Sequence, residues 1–297
     1  MTDLANVPPV EPGVQALRRR RHAALSPLSA LAALWLAAML FVMVFAQLIA
    51  PWGFEQTDLL GRMKPPAPLA GFDPAHVLGT DRIGRDLLSR LLIATQTSMA
   101  LALLGTLIGS VLGTALGFLA AHRGGWVDET ISALVDFQAA IPWFIVALAV
   151  LAFLGNAMGV FLLLMGLYGW ERYARITRGL VLSAREQGYA QAVHALGASP
   201  GWIYLRHILP NILGPLIVQV TINFPETILF ETSLSFIGLG IRPPLTSLGQ
   251  LLGDGRDYLI NAWWLAVLPG AMIFLTTLAM SILGDDLRLR LDPSLEE

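Results

Sequence analysis

The sequence has no cysteine and a single lysine. The first absence removes disulfides, thiolate nucleophiles and cysteine-bound metals from consideration. The second matters because Lys64 sits in Met63-Lys64-Pro65-Pro66. A phosphate-binding loop needs Gly-Lys-Ser/Thr after a glycine-rich turn, so the chain carries no such ATP site of its own. Charge is also scarce: 13% of the 297 residues are charged, against about a quarter in soluble domains. What charge there is lies in clusters. Residues 23–54, 91–121, 137–170 and 258–284 carry none, and each run exceeds the ~20 residues that cross a bilayer. The composition is that of an all-α polytopic membrane protein.

Residues 1–27 read as a cytoplasmic N-terminal tail whose Arg18-Arg19-Arg20-Arg21 run is a positive-inside anchor. The apolar stretch 28–50 is too long for a signal-peptide core of ~7–15 residues and is expected to stay as the first transmembrane helix. Residues 51–94 form an extracytoplasmic loop, with an interfacial helix bearing solvated Arg and Asp side chains over about 78–90. The second span, about 95–121, repeats glycine at 105, 109, 113 and 117, a spacing that lets helix backbones approach closely. His122 to Glu129 is a polar turn on the inside.

From Ile131 to Trp170 the length suits two helices divided at Gly155-Asn156, with Pro142 kinking the first. Asp136 is expected to snorkel or to be paired. Arg172, Arg175 and Arg178 share one side of the next helix and, with Arg185, mark the cytoplasmic side. They lead into residues 188–210. There the Ala-rich segment Tyr189 to Leu196 is closed by Gly197, and Pro200 opens a second short helix. This polar hairpin is either a surface loop or a docking element.

The fifth span, about 212–236, places Gln219, Asn223 and Glu226 at i, i+4 and i+7, with Glu231 further on. Ionisable groups in lipid are costly and point to function. Two readings stand: the three polar residues line a path, or the glutamates pair with arginine or backbone groups of neighbouring helices. Trp263-Trp264 suits an interfacial aromatic belt, and the last span runs to about Leu283. On this topology 12 of the 19 Lys and Arg residues lie inside and 7 outside, with both termini inside.

Several of these stretches resemble one family. Gln191-Ala192-Val193, Gly197 and Leu209-Pro210 look like the Glu-Ala-Ala loop of ABC importer permeases, with Gln at the leading Glu position. Leu78-Gly79-Thr80-Asp81, Gly84-Arg85-Asp86 and Ser89-Arg90 match a signature of the dipeptide/oligopeptide/nickel permeases. Leu234 to Gly240, Pro243-Pro244 and Gly253 to Asp257 resemble another block of that group, with Leu248 where the family has Trp. Gly284-Asp285, Leu287-Arg288 and Leu291-Asp292-Pro293 resemble its ending.

The resemblance implies a type I ABC importer permease fold with about six transmembrane helices. It also implies a permease core over 95–285, a coupling loop at about 186–210 and a cytoplasmic tail over 286–297. Gln191, Ala192, Val193, Gly197, Leu209 and Pro210 would contact an ATPase. The implied partners are a second permease subunit in a heterodimer, two ATP-binding subunits and an extracytoplasmic substrate-binding protein, in a bacterial or archaeal inner membrane. ATP and Mg would belong to the ATPases, leaving no cofactor in this chain, and nucleic acid has no part. The implied cargo is a di- or oligopeptide, with nickel or another small ligand as the alternative.

Two other classes fit less well. An intramembrane enzyme would need a His-Glu-x-x-His pair, a Gly-x-Ser-x-Gly nucleophile or facing aspartates, and no such centre is expected: His194 and His207 only flank a loop. A stand-alone secondary transporter would be expected to show inverted repeats, and none is visible.

Overall fold

The computed structural model describes residues 26–185, 199–241 and 244–291, and every regular element among them is a helix. The order is α1 (Pro27–Ile49), α2 (Leu87–Arg123), α3 (Gly125–Ala140), α4 (Trp143–Leu154), α5 (Met158–Gly166), α6 (Trp170–Arg185), α7 (Pro200–Ile203), α8 (Leu209–Phe236), α9 (Leu248–Gly255) and α10 (Trp264–Leu291). A π turn at Tyr204–Ile208 joins α7 to α8, and a 3-10 turn at Arg256–Tyr258 follows α9.

α1 begins at a cap legible in the sequence: the Ser26 hydroxyl accepts the Ser29 N–H at 3.0 Å, and Pro27 opens the helix where its missing N–H costs nothing. The helix lies against α2 and α10. Trp35 Nε1–H donates to Thr276 Oγ1 at 3.2 Å, and Gln96 donates to the Met43 carbonyl at 2.8 Å. These bonds give polar side chains internal partners where lipid offers none.

The stretch over 78–90 departs from the interfacial helix expected there. It is a compact turn, and α2 starts at Leu87 rather than near 95, capped by Asp86, whose carboxylate accepts the Ser89 N–H at 2.8 Å. Asp81 and Arg90 are not solvated; they are 2% and 5% exposed. The Asp81 carboxylate accepts the Ile83 and Arg85 N–H groups at 2.9 Å and the guanidinium groups of Arg85 and Arg90 at 2.7 and 2.6 Å. Burial works to raise the Asp81 carboxyl, but the Arg90 charge and the Arg85 bonds outweigh it and hold it below the usual carboxylate range. The charges fold the loop onto the helix end instead of facing water.

The glycine spacing in α2 does what close backbone approach requires. α2 packs along α6 and α5. A Cβ on Gly113 would stand 2.2 Å from the Trp170 carbonyl, and one on Gly117 would stand 2.5 Å from the Ala174 carbonyl. No side chain fits between these two backbones.

The region expected to hold two spans divides further. Ile141 precedes Pro142 and is extended, as proline demands of the residue before it. The chain therefore turns by 87° between α3 and α4 instead of kinking gently. A second break at Leu167 to Gly169 ends the nine-residue α5. At the far end α10 runs on to Leu291, with Arg290 donating to Asp286 at 2.8 Å, so the helix extends past the expected limit near 283. Among the described residues, four helices are long and apolar enough to cross a membrane, or five if α3 and α4 count as one broken span. Set beside the expected six, the difference lies in α4 and α5, of 12 and 9 residues.

Candidate functional site

Of the polar residues of α8, Gln219, Asn223 and Glu231 turn into the subunit and Glu226 does not. Asn223 is fully buried, Glu231 is 1% exposed and Gln219 is 9% exposed. The reason is packing: this side of α8 meets α2 and α6. The Asn223 amide presses against Gly169, whose φ of +85° and absent Cβ form the break before α6. Within this subunit the Gln219, Asn223 and Glu231 side chains are packed. Only Glu226 opens onto a cavity.

Glu226 is held by Arg172 of α6, whose Nη1–H donates to Glu226 Oε2. Both side chains are about two-fifths exposed, at 36% and 39%. The pair stands between two hollows. On the Glu226 side a cavity of about 450 Å³ lies between α8 and α10, with Thr221, Ser281, Asp285 and Arg288 among its walls. On the Arg172 side a cavity of about 340 Å³ lies where the two chain breaks face each other. Its walls include Trp143, Phe144, Tyr168 and Phe230. The Tyr168 and Phe230 rings stack at 4.6 Å, and the Arg172 guanidinium carbon stands 6.0 Å from the Tyr168 ring centre.

Gln138 fixes this second hollow. Its amide donates to the Leu167 carbonyl at 2.8 Å and to Glu171 at 3.0 Å, and accepts the Trp170 indole N–H at 2.6 Å. Irregular backbone inside a membrane protein is tolerated where it is buried or lines a cavity, and both breaks line this one.

Glu231 belongs to a different arrangement. Its carboxylate accepts hydroxyl bonds from Ser235 at 2.6 Å and Ser98 at 3.3 Å. The Ser247 hydroxyl donates to Ser235 at 3.4 Å and caps α9 by accepting the Gln250 N–H at 3.1 Å. Spacing alone gave no signal for this network, because its members come from α2, α8 and the turn before α9.

Three of the four arginines of α6 each find an acid on another helix: Arg172 on Glu226, Arg175 on Asp136 at 2.9 Å, and Arg178 on Asp128 with Nη2 to Oδ2 at 2.6 Å; the fourth, Arg185, donates to the Ala121 carbonyl at 2.7 Å. Asp136 is thus paired and exposed, one of the two readings its sequence position left open.

Of the residues matched to the coupling loop, Gln191, Ala192, Val193 and Gly197 lie outside the described residues. Pro210 is exposed in the first turn of α8. Leu209 is half-buried against a cluster that contains Tyr173, Ile208 and Ile212. Tyr204, in the π turn, hydrogen-bonds His122 at the end of α2 at 2.9 Å. Gly197-Ala198-Ser199-Pro200-Gly201 has the spacing of a nucleophile elbow, but that motif needs a strand-to-helix turn. No strand occurs among the described residues.

The fold and this site define a multi-pass membrane permease. The chain belongs to the family of binding-protein-dependent transport system inner membrane components, whose model matches residues 113–297. Relatives cover nearly all of it. It is 36% identical over 269 residues to the di/tripeptide transport system permease protein DppC of Pseudomonas aeruginosa, covering 88% of each chain. It is 31% identical over 300 residues to the dipeptide transport system permease protein DppC of Alkalihalophilus pseudofirmus, covering 100% of this chain and 97% of that one. Identity to the glutathione transport system permease protein GsiD of Pectobacterium atrosepticum is 33% over 277 residues, covering 93% and 89%. Among solved structures, a chain of the inward-facing MetNI methionine ABC transporter shares the fold, with a TM-score of 0.54, 20% identity and coverage of 68% and 96%.

Proposed function

We propose that this chain is a permease subunit of an ATP-driven importer of short peptides. What supports the reading is the breadth of the match: relatives named for dipeptides, di/tripeptides and glutathione align with 88% or more of the chain. The proposed assembly adds a second permease subunit, two ATP-binding subunits that hold ATP and Mg, and an extracytoplasmic substrate-binding protein. It sits in a bacterial or archaeal inner membrane with both termini cytoplasmic, consistent with the excess of arginine on that side.

In this reading the loop at about 186–210 seats on an ATPase through Gln191, Ala192, Val193, Gly197, Leu209 and Pro210. ATP-driven closure of the ATPases is then transmitted into α8, which follows directly from the loop, and transport proceeds by alternating access. The path runs past Glu226 and Arg172, the cavity-facing charges, rather than past Gln219, Asn223 or Glu231. The chain moves cargo and breaks no bond.

The test is uptake of a mixed peptide pool by cells with and without this chain, read by mass spectrometry. Loss of a defined set of peptides from the cells lacking it is the expected result. Unchanged uptake of every peptide would exclude peptide import and turn the search to nickel and other small ligands.

A further inference from the structure

We infer that Arg172 and Glu226 form a split binding site for the two charged ends of a short peptide, Arg172 taking the terminal carboxylate and Glu226 the terminal ammonium. The inference rests on the peptide-import reading and adds to it the feature of the cargo that this subunit recognises.

The first argument is placement. The two partners of the ion pair line different hollows: Arg172 the 340 Å³ cavity and Glu226 the 450 Å³ cavity. Each hollow is in the size range of small-molecule sites, about 300–1,000 Å³. Both charges reach those spaces, at 39% and 36% exposure, whereas Asn223 and Glu231 of the same helix do not.

The second argument is charge balance. A ligand that enters between the two must part them, which leaves Glu226 without its partner and Arg172 with only its looser pair to Glu171 at 3.7 Å. A metal cation would replace Arg172 at Glu226 but leave Arg172 with Glu171 alone. A neutral solute would restore neither side of the parted pair. A zwitterion restores both pairs at once, because its carboxylate meets the guanidinium and its ammonium meets the glutamate. A site whose polar groups are all answered by one ligand strongly rejects analogues that lack one of those groups.

The third argument is the surroundings. The Arg172 hollow is walled by Trp143, Phe144, Tyr168 and Phe230. A carboxylate bound there would place the last side chain of the peptide against aromatic rings.

The test uses the purified, fully assembled transporter without its binding protein, so that selection by that protein does not enter. Binding is measured calorimetrically for alanylphenylalanine, its N-acetyl form and its C-terminal amide. The expected result is at least tenfold weaker binding of either blocked form. Arg172→Gln should erase the preference over the amide and keep the preference over the acetylated form. Glu226→Gln should do the reverse, while Arg172→Lys and Glu226→Asp should retain both preferences. Equal binding of the three probes by the unaltered transporter, no binding of any, or equal loss of both preferences in each Gln variant overturns the inference. Peptide uptake in cells is a separate result: a transporter that imports peptides yet shows no preference for free ends sinks this site and leaves the importer reading intact.

Discussion

Ser98 on α2 joins Glu231 on α8 to the turn that opens α9. Its hydroxyl donates to the Glu231 carboxylate at 3.3 Å and accepts the Leu248 N–H at 3.0 Å. One carboxylate thereby holds two long helices and the short α9 in register.

Glu231→Ala is expected to destabilise the purified transporter by about 2–3 kcal/mol, since it leaves the Ser98 and Ser235 hydroxyls buried without their acceptor. Glu231→Gln, which keeps one carbonyl acceptor, should lose less. Denaturant or thermal unfolding in detergent measures both. An Ala variant as stable as the unaltered chain would show that the network contributes nothing net.

Gly113→Ala should lower the amount of folded protein, with overpacking costing about 1–3 kcal/mol, because the new methyl would meet the Trp170 carbonyl at 2.2 Å. Gly179→Ala is the control: nothing lies within 4 Å of its added methyl, and loss of an interior helix glycine should be neutral or stabilising by about 0.5–1 kcal/mol. Membrane levels by immunoblot and melting of the purified chains separate the two.

Acid should loosen the turn over 78–90. The folded Asp81 carboxyl titrates below its unfolded value, so its contribution is complete above about pH 4 and is lost as pH falls through the lower, folded value. Asp81→Asn removes that contribution at every pH and leaves the buried Arg90 short of its closest partner, a cost of about 3 kcal/mol. Melting temperature from pH 6 down to pH 3 should therefore fall more steeply for the unaltered chain than for the variant. Parallel curves would remove Asp81 as a source of the acid sensitivity.

Gly197→Asp should abolish uptake and weaken co-purification of the ATP-binding subunits, while the protein still reaches the membrane. The sequence pattern closes the Ala-rich segment of the proposed coupling loop at this glycine, where a side chain is expected to spoil the backbone or a close approach. A variant that assembles and transports normally would remove the assignment.

Much of the architecture was legible. Three of the four charge-free runs located the long helices α1, α2 and α10, because a bilayer imposes length and apolarity directly on sequence; the run over 137–170 breaks into short helices, and the long α8 carries Glu226 and Glu231. The four-residue glycine spacing in α2 correctly announced backbone contact. Less was legible where the decisive fact was which way a face turns. Gln219, Asn223 and Glu226 do share one side of α8, yet periodicity carries no information about whether that side meets a cavity or another helix of the same subunit.

Arg172 shows the same limit from the other direction. It read as a marker of the cytoplasmic side, and nothing local in the sequence pointed 54 residues on to Glu226. Asp81 and Arg90 were read as solvated because isolated charges usually are. Their burial becomes intelligible only once two arginines and two backbone N–H groups converge on one carboxylate.

The glycine contacts between α2 and α6 have a mechanical consequence. Two helices whose backbones touch have no layer of side chains that could slide or repack, so they must tilt as a single beam. At 37 residues, α2 is about 55 Å long, and its N-terminal end carries the turn knotted around Asp81. α6 ends at Arg185, directly before the proposed coupling loop. Under the proposed coupling, a push delivered at that end would reach the N-terminal end of α2 as rotation of the beam and carry the turn over 78–90 with it.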